Sequence, residues 1–501
     1  MDTQGPEDFD LLVIGGGING AGIARDAAGR GLSVCLAEKA DLASATSSAS
    51  TKLVHGGLRY LENYEFRLVR ESLIERERLL AIAPHIIWPL RFVLPHDKGL
   101  RPKWMLRAGL FLYDHIGGRK LLPATRSVNL RKAPHADVLE DRLKRGFEYS
   151  DCWVDDARLV VLNCVDAHER GARIRTRSEV VSLKRRAGHW EAVLRTAKGD
   201  HQINAKMVVN TAGPWVDKVL TLAFPGRNAA NLRLVKGSHL IMPRLYEGDH
   251  CYIFQNRDGR IIFAIPYERD FTLIGTTDVA FEGDPANIAI SPDEARYICD
   301  AVNEYLRVDV APEDAVSSYA GVRPLYDDKA ASHSTVTRDY MFELDRGSDQ
   351  TAPAILSVFG GKITTYRKLA EHALEKLGVQ GASWTAKQPL PGGEIEWVGF
   401  ERFVSDQQRR WPWLGPQMNR RLARAYGTRV ARILEGASGH ADLGSHLGGG
   451  LYSAELAYLV QFEFARSAQD VLWRRSKLGL HLSAEEQARV EDWFTRLELP
   501  D

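Results

Sequence analysis

The N-terminal part of the chain alternates short apolar runs with small-residue segments, which predicts a strand, a turn, a helix and a second strand. Phe9–Ile14 is an apolar run between acidic residues and glycines, a pattern typical of a buried parallel strand. The alanine-rich segment that follows lacks proline and ends in Gly29 and Gly31, as expected for a helix with a glycine stop. Ser33–Leu36 then predicts the second strand. The chain therefore opens with a βαβ unit.

Later in the chain, two kinds of strand pattern are interleaved. Met207–Val209 and Ile355–Val358 are apolar runs like the first strand. Cys251–Gln255, Arg260–Pro266 and Thr272–Gly275 alternate apolar and polar positions, which predicts antiparallel strands. Because 501 residues exceed the ~250–300 at which one core usually divides, we predict an α/β fold of several domains. In it, a Rossmann-like nucleotide-binding domain (1–75, 150–225 and 335–387) is interleaved with an antiparallel-sheet substrate domain (76–149 and 226–334).

The sequence changes in character near residue 388, where Pro389–Gly393 forms a linker. Strand signals are almost absent beyond it. Ala454–Trp473 predicts one long amphipathic helix, and Ser483 with Glu486 forms a capping box that opens the last helix. We therefore predict an all-helical C-terminal cap domain over 388–501. Because it carries no catalytic motif, its expected role is structural or interfacial.

The first predicted strand is followed by a dinucleotide-binding fingerprint, Gly15-x-Gly17-x-x-Gly20, with Glu38 lying 23 positions after the first glycine. Gly15 permits the tight turn, Gly17 lets a pyrophosphate approach the backbone, and Gly20 lets the helix pack closely on the strand. The helix N-terminus offers N–H groups and its positive dipole end to phosphates. Glu38 is placed to accept hydrogen bonds from a ribose diol. The sequence therefore predicts a bound dinucleotide, although the fingerprint alone does not separate FAD from NAD.

Two further glycine-rich segments favour FAD. Asn210–Trp215 and Phe359–Thr365 each follow a strand-like run and precede helix-forming sequence. The long, extended FAD needs several such backbone approaches, whereas two ordinary βα turns are the alternative interpretation. In addition, a run of small hydroxyl residues from Ser44 to Thr51 leads into His55-Gly56-Gly57. Adjacent glycines allow the backbone to approach a ligand closely or to adopt positive φ.

Seven segments together form a specific signature: GGGINGAG, ATSSASTKLVHGGLRYLE, NTAGPWVD, KGSH, GTTD, GVRPL and VFGGKITTYRKLAEHALE. In their order and spacing, the chain resembles the FAD-dependent, respiratory glycerol-3-phosphate dehydrogenases of the aerobic bacterial type, over essentially its whole length. The wider superfamily, which includes glycine and sarcosine oxidases, shares only the first fingerprint and the general plan. The resemblance implies oxidation of sn-glycerol 3-phosphate to dihydroxyacetone phosphate by hydride transfer to flavin N5. It further implies that the electrons pass to a membrane quinone.

The fingerprint and the resemblance together give the residues expected to bind FAD, which we assume to be held without a covalent bond. These residues are Gly15, Gly17, Ile18, Asn19, Gly20, Glu38, Lys39, Thr46, Ser47, Ser48, Ser50, Lys52, His55, Gly56, Gly57, Ala212, Gly213, Trp215, Gly361, Lys362, Ile363 and Thr364. The hydroxyl segment is expected to cross the flavin. Lys362 at a helix start would stabilise the negative charge of a reduced flavin.

The resemblance also places a substrate site, formed by Arg59, Tyr60, His239, Thr277, Arg323 and Lys362. Arg59 and Arg323 are expected to hold the phosphate dianion, because a guanidinium makes two parallel charge-assisted hydrogen bonds. His239 is the first choice for the base that removes the hydroxyl proton, and His55 is the alternative. We therefore expect His239, Arg59, Arg323 and Lys362 to be the catalytic residues. No metal site is expected, since the five cysteines are scattered and form no cluster with histidine.

Charge patterning bears on location. Lys+Arg (66) balances Asp+Glu (65), which argues against a polyanion-binding protein. The polar N-terminus is not a secretory signal, and no apolar run is long enough to span a membrane. The 88–132 region, however, combines ten basic residues, two acidic ones and several aromatics. Such a mixture suits an anionic bilayer surface. With the resemblance, it predicts a peripheral protein on the cytoplasmic side of the cell membrane, and we also expect a homodimer.

Three alternatives to the quinone-linked dehydrogenase stay open at the level of sequence. The related oxidase would pass its electrons to O2 and release peroxide. An amine oxidase of the sarcosine or glycine type could use the same arginines for a carboxylate, although two arginines and a lysine suit a dianion better. A flavoprotein that binds nucleic acid through the basic region is the third, and the balanced overall charge argues against it.

Overall fold

The computed structural model describes residues 6–58, 61, 64–97, 102–118, 121–227, 231–327, 339–348 and 350–497. Within these residues the α-helices are α1 (Ile18–Gly29), α2 (Phe66–Ile82), α3 (Lys103–Ile116), α4 (Asp156–Glu169), α5 (Val216–Ala223), α6 (Pro292–Asn303), α7 (Tyr366–Leu377), α8 (Phe400–Arg410), α9 (Pro416–Tyr426), α10 (Ala431–Leu434), α11 (Ser453–Phe462), α12 (Ala468–Asp470) and α13 (Ala484–Thr495).

The strands are β1 (Glu7–Ile14), β2 (Val34–Ala37), β3 (Leu53–Val54), β4 (Ile87–His96), β5 (Arg126–Asn129), β6 (Arg145–Val154), β7 (Arg173–Arg175), β8 (Glu179–Arg185), β9 (Trp190–Thr196), β10 (Gly199–Asn210), β11 (Leu232–Pro243), β12 (Cys251–Gln255), β13 (Ile261–Tyr267), β14 (Phe271–Gly275), β15 (Val279–Ala280), β16 (Ser317–Tyr326), β17 (Met341–Asp345), β18 (Ile355–Phe359), β19 (His446–Gly448) and β20 (Leu451–Tyr452). The mixed α/β architecture predicted from the sequence is confirmed.

The first sheet carries the nucleotide-binding motifs. Its strands follow the order β17-β18-β10-β1-β2-β7, and β18, β10, β1, β2 and β7 run parallel. β17 and the β8–β9 hairpin are antiparallel additions. Because β1, β10 and β18 are parallel neighbours, the three glycine-rich turns that follow them lie at the same edge of the sheet.

The second sheet follows the order β15-β11-β14-β13-β12-β4-β6-β3, with β16 paired to β11 and β5 to β6. All of its pairs are antiparallel except the short β12–β4 pair. β3 pairs with the end of β6 in this sheet, Leu53 opposite Trp153 and Val54 opposite Cys152. The hydroxyl segment before β3 therefore runs from one sheet to the other.

Close helix packing brings the glycine turns together. A Cβ on Gly22 of α1 would lie 2.7 Å from the ring of Tyr366, the first residue of α7. The alanine-rich face of α1 also packs against α4, and these helices share one core with β1, β2 and β18. Small residues in α1 thus allow the helix that follows the third glycine turn to approach the helix that follows the first.

The C-terminal region differs from the prediction in two details. Ala454–Trp473 is not one helix, because α11 ends at Phe462 and α12 begins only at Ala468. At the break, Phe464 adopts φ of +60°. Its side chain packs on the core that α1 and α4 share with the first sheet, beside the ring of His168. The region is also not purely helical, since β19 and β20 form a short hairpin through three glycines with positive φ. The predicted capping box at Ser483 is confirmed.

Candidate active site

The first glycine turn, between β1 and α1, leaves no room for side chains. Gly15 has φ of +111°, and a Cβ there would lie 2.5 Å from the carbonyl oxygen of Thr211. A Cβ on Gly20 would collide with the carbonyl oxygen of Gly15. Gly17 caps α1 without a side chain, and the first helical turn contains no acidic residue. The N-terminal N–H groups of α1 are therefore available to an anion such as a pyrophosphate.

Glu38, immediately after β2, lies behind this turn. Its carboxylate accepts hydrogen bonds from the backbone N–H of Gly16 at 2.7 Å and of Ala40 at 2.8 Å. Burial raises the pKa of Glu38, while these two donors favour its charged form. Both carboxylate oxygens keep further acceptor capacity for a diol. Beside it, the Lys39 ammonium lies 3.3 Å from the centre of the Trp215 ring.

The second and third glycine turns meet the first. Thr211, at the end of β10, donates a 2.9 Å hydrogen bond from its hydroxyl to the carbonyl of Ile14. After it come Ala212 and then Gly213, which has φ of +56°. Gly360 and Gly361, with φ of +71° and +96°, form the turn before α7. The three glycine-rich turns that the sequence indicates for FAD, after β1, β10 and β18, therefore lie together at one edge of the first sheet.

The hydroxyl segment, Ser44–Thr51, runs from these glycine turns toward the second sheet. The Thr46 hydroxyl donates to the carbonyl of Val322 at 2.7 Å, and the Ser47 hydroxyl accepts from the N–H of Ile18 at 3.0 Å. Ile18, Thr46 and Ser47 all line the main cavity. Ser47 therefore connects the segment directly to the N-terminus of α1.

Three other predicted residues of the segment are engaged within the protein. The Ser48 hydroxyl donates to the carbonyl of Ala45 at 3.3 Å, and the Ser50 hydroxyl donates to Asp156 at 2.7 Å. Lys52 is buried and forms an ion pair with Asp156 at 2.9 Å. Ser50 lines the cavity, whereas Ser48 and Lys52 do not. Lys52 therefore lies where it can hold the segment in place.

His55-Gly56-Gly57 is held by side chains of α3 and β6. The N–H of Gly56 donates to the Tyr113 hydroxyl at 2.8 Å, and that hydroxyl donates to buried Asp151 at 2.7 Å. Gly57 has φ of +73°. His55 lines the cavity, and burial together with the charge of Lys362 lowers its pKa, which Asp151 opposes.

The main cavity has a volume of about 690 Å³ and lies between the hydroxyl segment and the second sheet. At one end its wall is polar and contains Thr51, His239, Thr277, Asp278, Arg323 and Lys362. At the other end the wall is apolar and contains Leu94, Met105, Leu106, Leu112, Ile253 and Phe263. The cavity can therefore hold a charged ligand at one end and apolar groups at the other.

His239 lies on β11 at the polar end, and only 2% of its surface is exposed. Its ring stacks on Tyr319 at 4.8 Å, and its Nε2 lies 3.0 Å from the Thr51 hydroxyl. Burial, together with the positive charges of Lys52 and Arg323, lowers the pKa of His239 to about 3. The imidazole is therefore neutral at physiological pH and can accept a proton.

Arg323 lies on β16, which pairs with β11, and its guanidinium donates to the Thr277 carbonyl at 3.2 Å. Its side chain lies 3.9 Å from the Asp278 carboxylate. Lys362, beside the third glycine turn, also lines the cavity. The Thr277 hydroxyl donates a hydrogen bond to the Glu294 carboxylate at 2.9 Å. Arg323 and Lys362 make this end of the cavity cationic, with the carboxylates of Asp278 and Glu294 nearby.

Two predicted substrate residues, Arg59 and Tyr60, lie outside the described residues. Sequence reasoning did not identify Thr51 and Tyr319 as the neighbours of His239, nor Tyr113 as the partner of Gly56. It also gave no indication of the apolar end of the cavity. Each of these contacts joins distant parts of the chain, and no local motif reports them.

The residues at the three glycine turns fit FAD. They offer backbone donors without competing side chains, an acidic acceptor for a ribose, and a deep cavity beside the hydroxyl segment. In addition, Oδ1 of Asn19 in the first turn of α1 is buried without a hydrogen-bond partner among the described residues. When bound, FAD would supply a two-electron acceptor at the cavity wall.

Comparison with family models gives two matches along the chain. Residues 10–365 match the family described as FAD dependent oxidoreductase. Residues 383–493 match the C-terminal domain of alpha-glycerophosphate oxidase. The second match begins a few residues before the linker where the sequence changes in character.

Among its relatives, the glycerol-3-phosphate dehydrogenase of Pseudomonas aeruginosa is 54% identical over 493 residues, which cover 97% of this chain and 95% of that protein. The D-erythritol 1-phosphate dehydrogenase of Brucella abortus is 51% identical over 502 residues and 99% of both chains. Among solved structures, the glycerol-3-phosphate dehydrogenase from Bacillus halodurans complexed with FAD has a TM-score of 0.74 at 31% identity. It covers 98% of this chain and 94% of that one.

Proposed function

Because this chain belongs to the FAD-dependent glycerol-3-phosphate dehydrogenase family, we propose that it oxidises sn-glycerol 3-phosphate at C2 to dihydroxyacetone phosphate. FAD is its cofactor. The observation that supports this substrate most strongly is the convergence of Arg323, Lys362 and neutral His239 at one end of a single cavity. The site thereby combines cations for a phosphate with a base for a hydroxyl.

The proposed phosphate site contains Arg323 and Lys362, with Arg59 as a further predicted residue. The Arg323 guanidinium is held by the Thr277 carbonyl, so its orientation is fixed before the substrate arrives. A phosphate dianion can accept charge-assisted hydrogen bonds from a guanidinium. Two or three cations suit this dianion better than the single charge of an amino-acid carboxylate, which favours a phosphate over a sarcosine-like substrate.

His239 is the proposed base. Removal of the C2 hydroxyl proton must accompany the departure of the C2 hydride, and the neutral imidazole can take that proton. Stacking on Tyr319 and the contact with Thr51 hold the ring at the cavity wall. His55 also lines the cavity, but its neighbouring glycine is fixed to Tyr113 and no comparable partner orients the His55 ring among the described residues. These contacts favour His239.

The test of the substrate is anaerobic. The purified flavoprotein is mixed with glycerol 3-phosphate, glycerol or sarcosine, and the flavin absorbance is followed. Bleaching by the phosphate alone is expected. Arg323→Ala should keep FAD and lose saturation by the phosphate. Bleaching by sarcosine, with none by the phosphate, would contradict the proposal and indicate that the arginine binds a carboxylate.

A second candidate substrate is D-erythritol 1-phosphate, because a 51% identical relative is named for it. The cavity supports a longer polyol: from His239 its wall continues across β14 and β13 to Gln255 on β12. Three strand spacings of ~4.8 Å separate β11 from β12, so this wall is long enough to face a substrate with an additional carbon. Comparing kcat/KM for the two phosphates decides between them.

We further propose that the electrons leave to a membrane quinone, and that α3 contacts the bilayer. Trp104 and Phe111 of α3 are 70% and 65% exposed, while Met105 and Leu112 of the same helix line the apolar end of the cavity. Lys103 and Arg107 provide positive charge beside them. None of the described helices is both long and apolar enough to cross a bilayer. This arrangement supports attachment at the surface.

The acceptor is tested by following reoxidation of the reduced enzyme. A soluble quinone analogue should reoxidise it rapidly, with little peroxide released in air. Stoichiometric peroxide, at a rate equal to substrate oxidation, would instead indicate the oxidase. Release of the flavin by acid precipitation would support non-covalent binding. The homodimer expected from the sequence stays a prediction.

A further inference from the structure

The ring of His239 has one polar connection to the cavity among the described residues. Its Nε2 lies 3.0 Å from the Thr51 hydroxyl, whereas its Nδ1 is buried without a hydrogen-bond partner in the described part of the chain. One face of the ring is stacked on Tyr319. On the neighbouring strand, a Cβ on Gly275 would collide with the ring, so the imidazole has little freedom to turn. Within the described part of the chain, Thr51 is thus the one residue through which a hydrogen bond reaches this ring from the cavity.

Thr51 itself faces the cavity. Its side chain is half-buried and belongs to the polar wall, and its hydroxyl makes no second hydrogen bond within the described residues. A hydroxyl can donate one hydrogen bond and accept others at the same time. When the neutral imidazole of His239 carries its proton on Nδ1, Nε2 is an acceptor, and Thr51 can donate to it while it accepts from a hydroxyl group in the cavity.

The residues on either side of Thr51 are firmly anchored. Lys52 and Ser50 both bind Asp156, the first residue of α4, at 2.9 and 2.7 Å. The Tyr319 hydroxyl donates to the carbonyl of Ser50 at 2.7 Å, and the Lys52 ammonium lies 5.0 Å from the centre of the Tyr319 ring. The aromatic ring that supports His239 thus also holds the backbone next to Thr51. The distance between the hydroxyl and the imidazole is fixed by the fold.

We propose that Thr51 is a catalytic residue that relays the proton of the substrate hydroxyl to His239. In this step the O–H bond of the substrate breaks and its proton moves to Thr51 Oγ1, while the original Thr51 proton moves to Nε2. Bound FAD would supply the acceptor for the C2 hydride and its electron pair, and the C2–O bond would become a carbonyl. Thr51 ends as a neutral hydroxyl and His239 as an imidazolium. This inference rests on the proposed function, because it requires an alcohol substrate.

The charges around His239 are compatible with this role. Lys52 and Arg323 disfavour the imidazolium, with Asp156 behind Lys52 and Asp278 beside Arg323. A bound phosphate dianion would offset the charge of Arg323 and make the imidazole more basic. The relay therefore becomes effective when the substrate is in place.

The experiment compares Thr51→Val, Thr51→Ser and Thr221→Val. Valine has nearly the shape of threonine without the hydroxyl, and serine keeps the hydroxyl. Thr221 lies exposed on α5, where its hydroxyl donates to the backbone carbonyl of Asp217. The substrate is whichever polyol phosphate bleaches the wild-type flavin. A wild type that no polyol phosphate reduces would overturn the proposed function and this inference with it. A wild type that is reduced leaves only the role of Thr51 to be tested.

For Thr51→Val we expect flavin reduction to slow by about 100-fold, the lower part of the range for acid–base catalysis, with substrate affinity and FAD content nearly unchanged. Thr51→Ser should retain most of the rate, and Thr221→Val all of it. Thr51→Val reacting within twofold of the wild type would overturn the relay. So would equal losses in both Thr51 variants accompanied by loss of FAD, which would indicate a structural role.

A measurement on the wild type needs no variant. If two protons move together, the rate of flavin reduction in mixtures of H2O and D2O should depend non-linearly on the deuterium fraction. A straight line would show that one proton moves. That result would overturn the relay and leave Thr51 as a residue that orients His239.

Discussion

The amide of Asn19 donates a 3.0 Å hydrogen bond to the carbonyl of Gly360, across 341 positions of the chain. Asn19 lies in the first turn of α1, and Gly360 lies in the turn between β18 and α7. The bond joins the first and third glycine turns directly. It fixes the distance between the first glycine turn, which is expected to hold the pyrophosphate, and the third, which is expected to lie beside the flavin ring.

Replacing Asn19 by leucine should weaken FAD binding by about five- to tenfold, because one hydrogen bond contributes about 1 kcal/mol. Leucine keeps the size of the side chain and removes both the donor and the buried Oδ1. Equilibrium dialysis against FAD measures the change. Gln380→Leu removes an exposed amide that donates to Gly378 and should leave FAD affinity unchanged. Equal affinity in both variants would contradict a role for the Asn19 bond.

The pH below which the rate falls should differ between kcat/KM, which reports on the free enzyme, and kcat, which reports on the substrate complex. In the free enzyme the pKa of His239 is about 3, so kcat/KM, corrected for the fraction of substrate dianion, should stay flat down to about pH 5. In the complex, the dianion offsets Arg323 and raises the pKa of His239, so kcat should fall at a higher pH. Stopped-flow reduction between pH 5 and 8 measures both. A corrected kcat/KM that falls near pH 6.5 would show that His239 keeps its ordinary pKa.

The first glycine turn, between β1 and α1, could be predicted from the sequence because its signals are local. Gly15, Gly17 and Gly20 lie within one turn, and the strand pattern before them and the helix pattern after them both agree with the fold. The neighbours of His239 could not be predicted in this way. Thr51 lies 188 positions away, and the pairing of His239 with Tyr319 depends on the register of β11 against β16.

The break in the C-terminal helical segment was missed for a related reason. Neither glycine nor proline lies between Phe462 and Ala468, so the apolar period of the sequence continues through the break. The chain leaves the helix because Phe464 packs on the first domain and Glu463 binds Arg158 there. Contacts with another domain thus outweighed the local helical preference.

Vesicle binding should depend on the exposed apolar residues of α3. The double variant Trp104→Ser with Phe111→Ser should bind vesicles containing phosphatidylglycerol more weakly, by about tenfold or more, since two large aromatic side chains no longer leave water. Its reduction by substrate in solution should be unchanged. Cosedimentation measures binding. Val398→Ser is the control, because Val398 is 67% exposed outside α3. Unchanged binding of the double variant would exclude α3 as the contact surface.

The C-terminal domain should be held to the nucleotide-binding domain by a buried ion pair. Arg158 of α4 donates to Glu463 at 2.9 Å and to the carbonyl of Ala425 at 2.7 Å, and both charged side chains are at most 1% exposed. Glu463→Gln leaves the guanidinium buried without its counter-charge. Removing one partner of such a pair destabilises a protein by about 3–5 kcal/mol.

This loss should appear as a lower urea midpoint for the C-terminal domain, read from the fluorescence of its tryptophans. Asp200→Asn, which breaks the exposed Arg195–Asp200 pair, should leave the midpoint unchanged. The double variant Arg158→Met with Glu463→Met should recover most of the stability, because no unpaired charge then stays buried. A double variant no more stable than Glu463→Gln would show that the interface needs the hydrogen bonds of the pair and not only its neutrality.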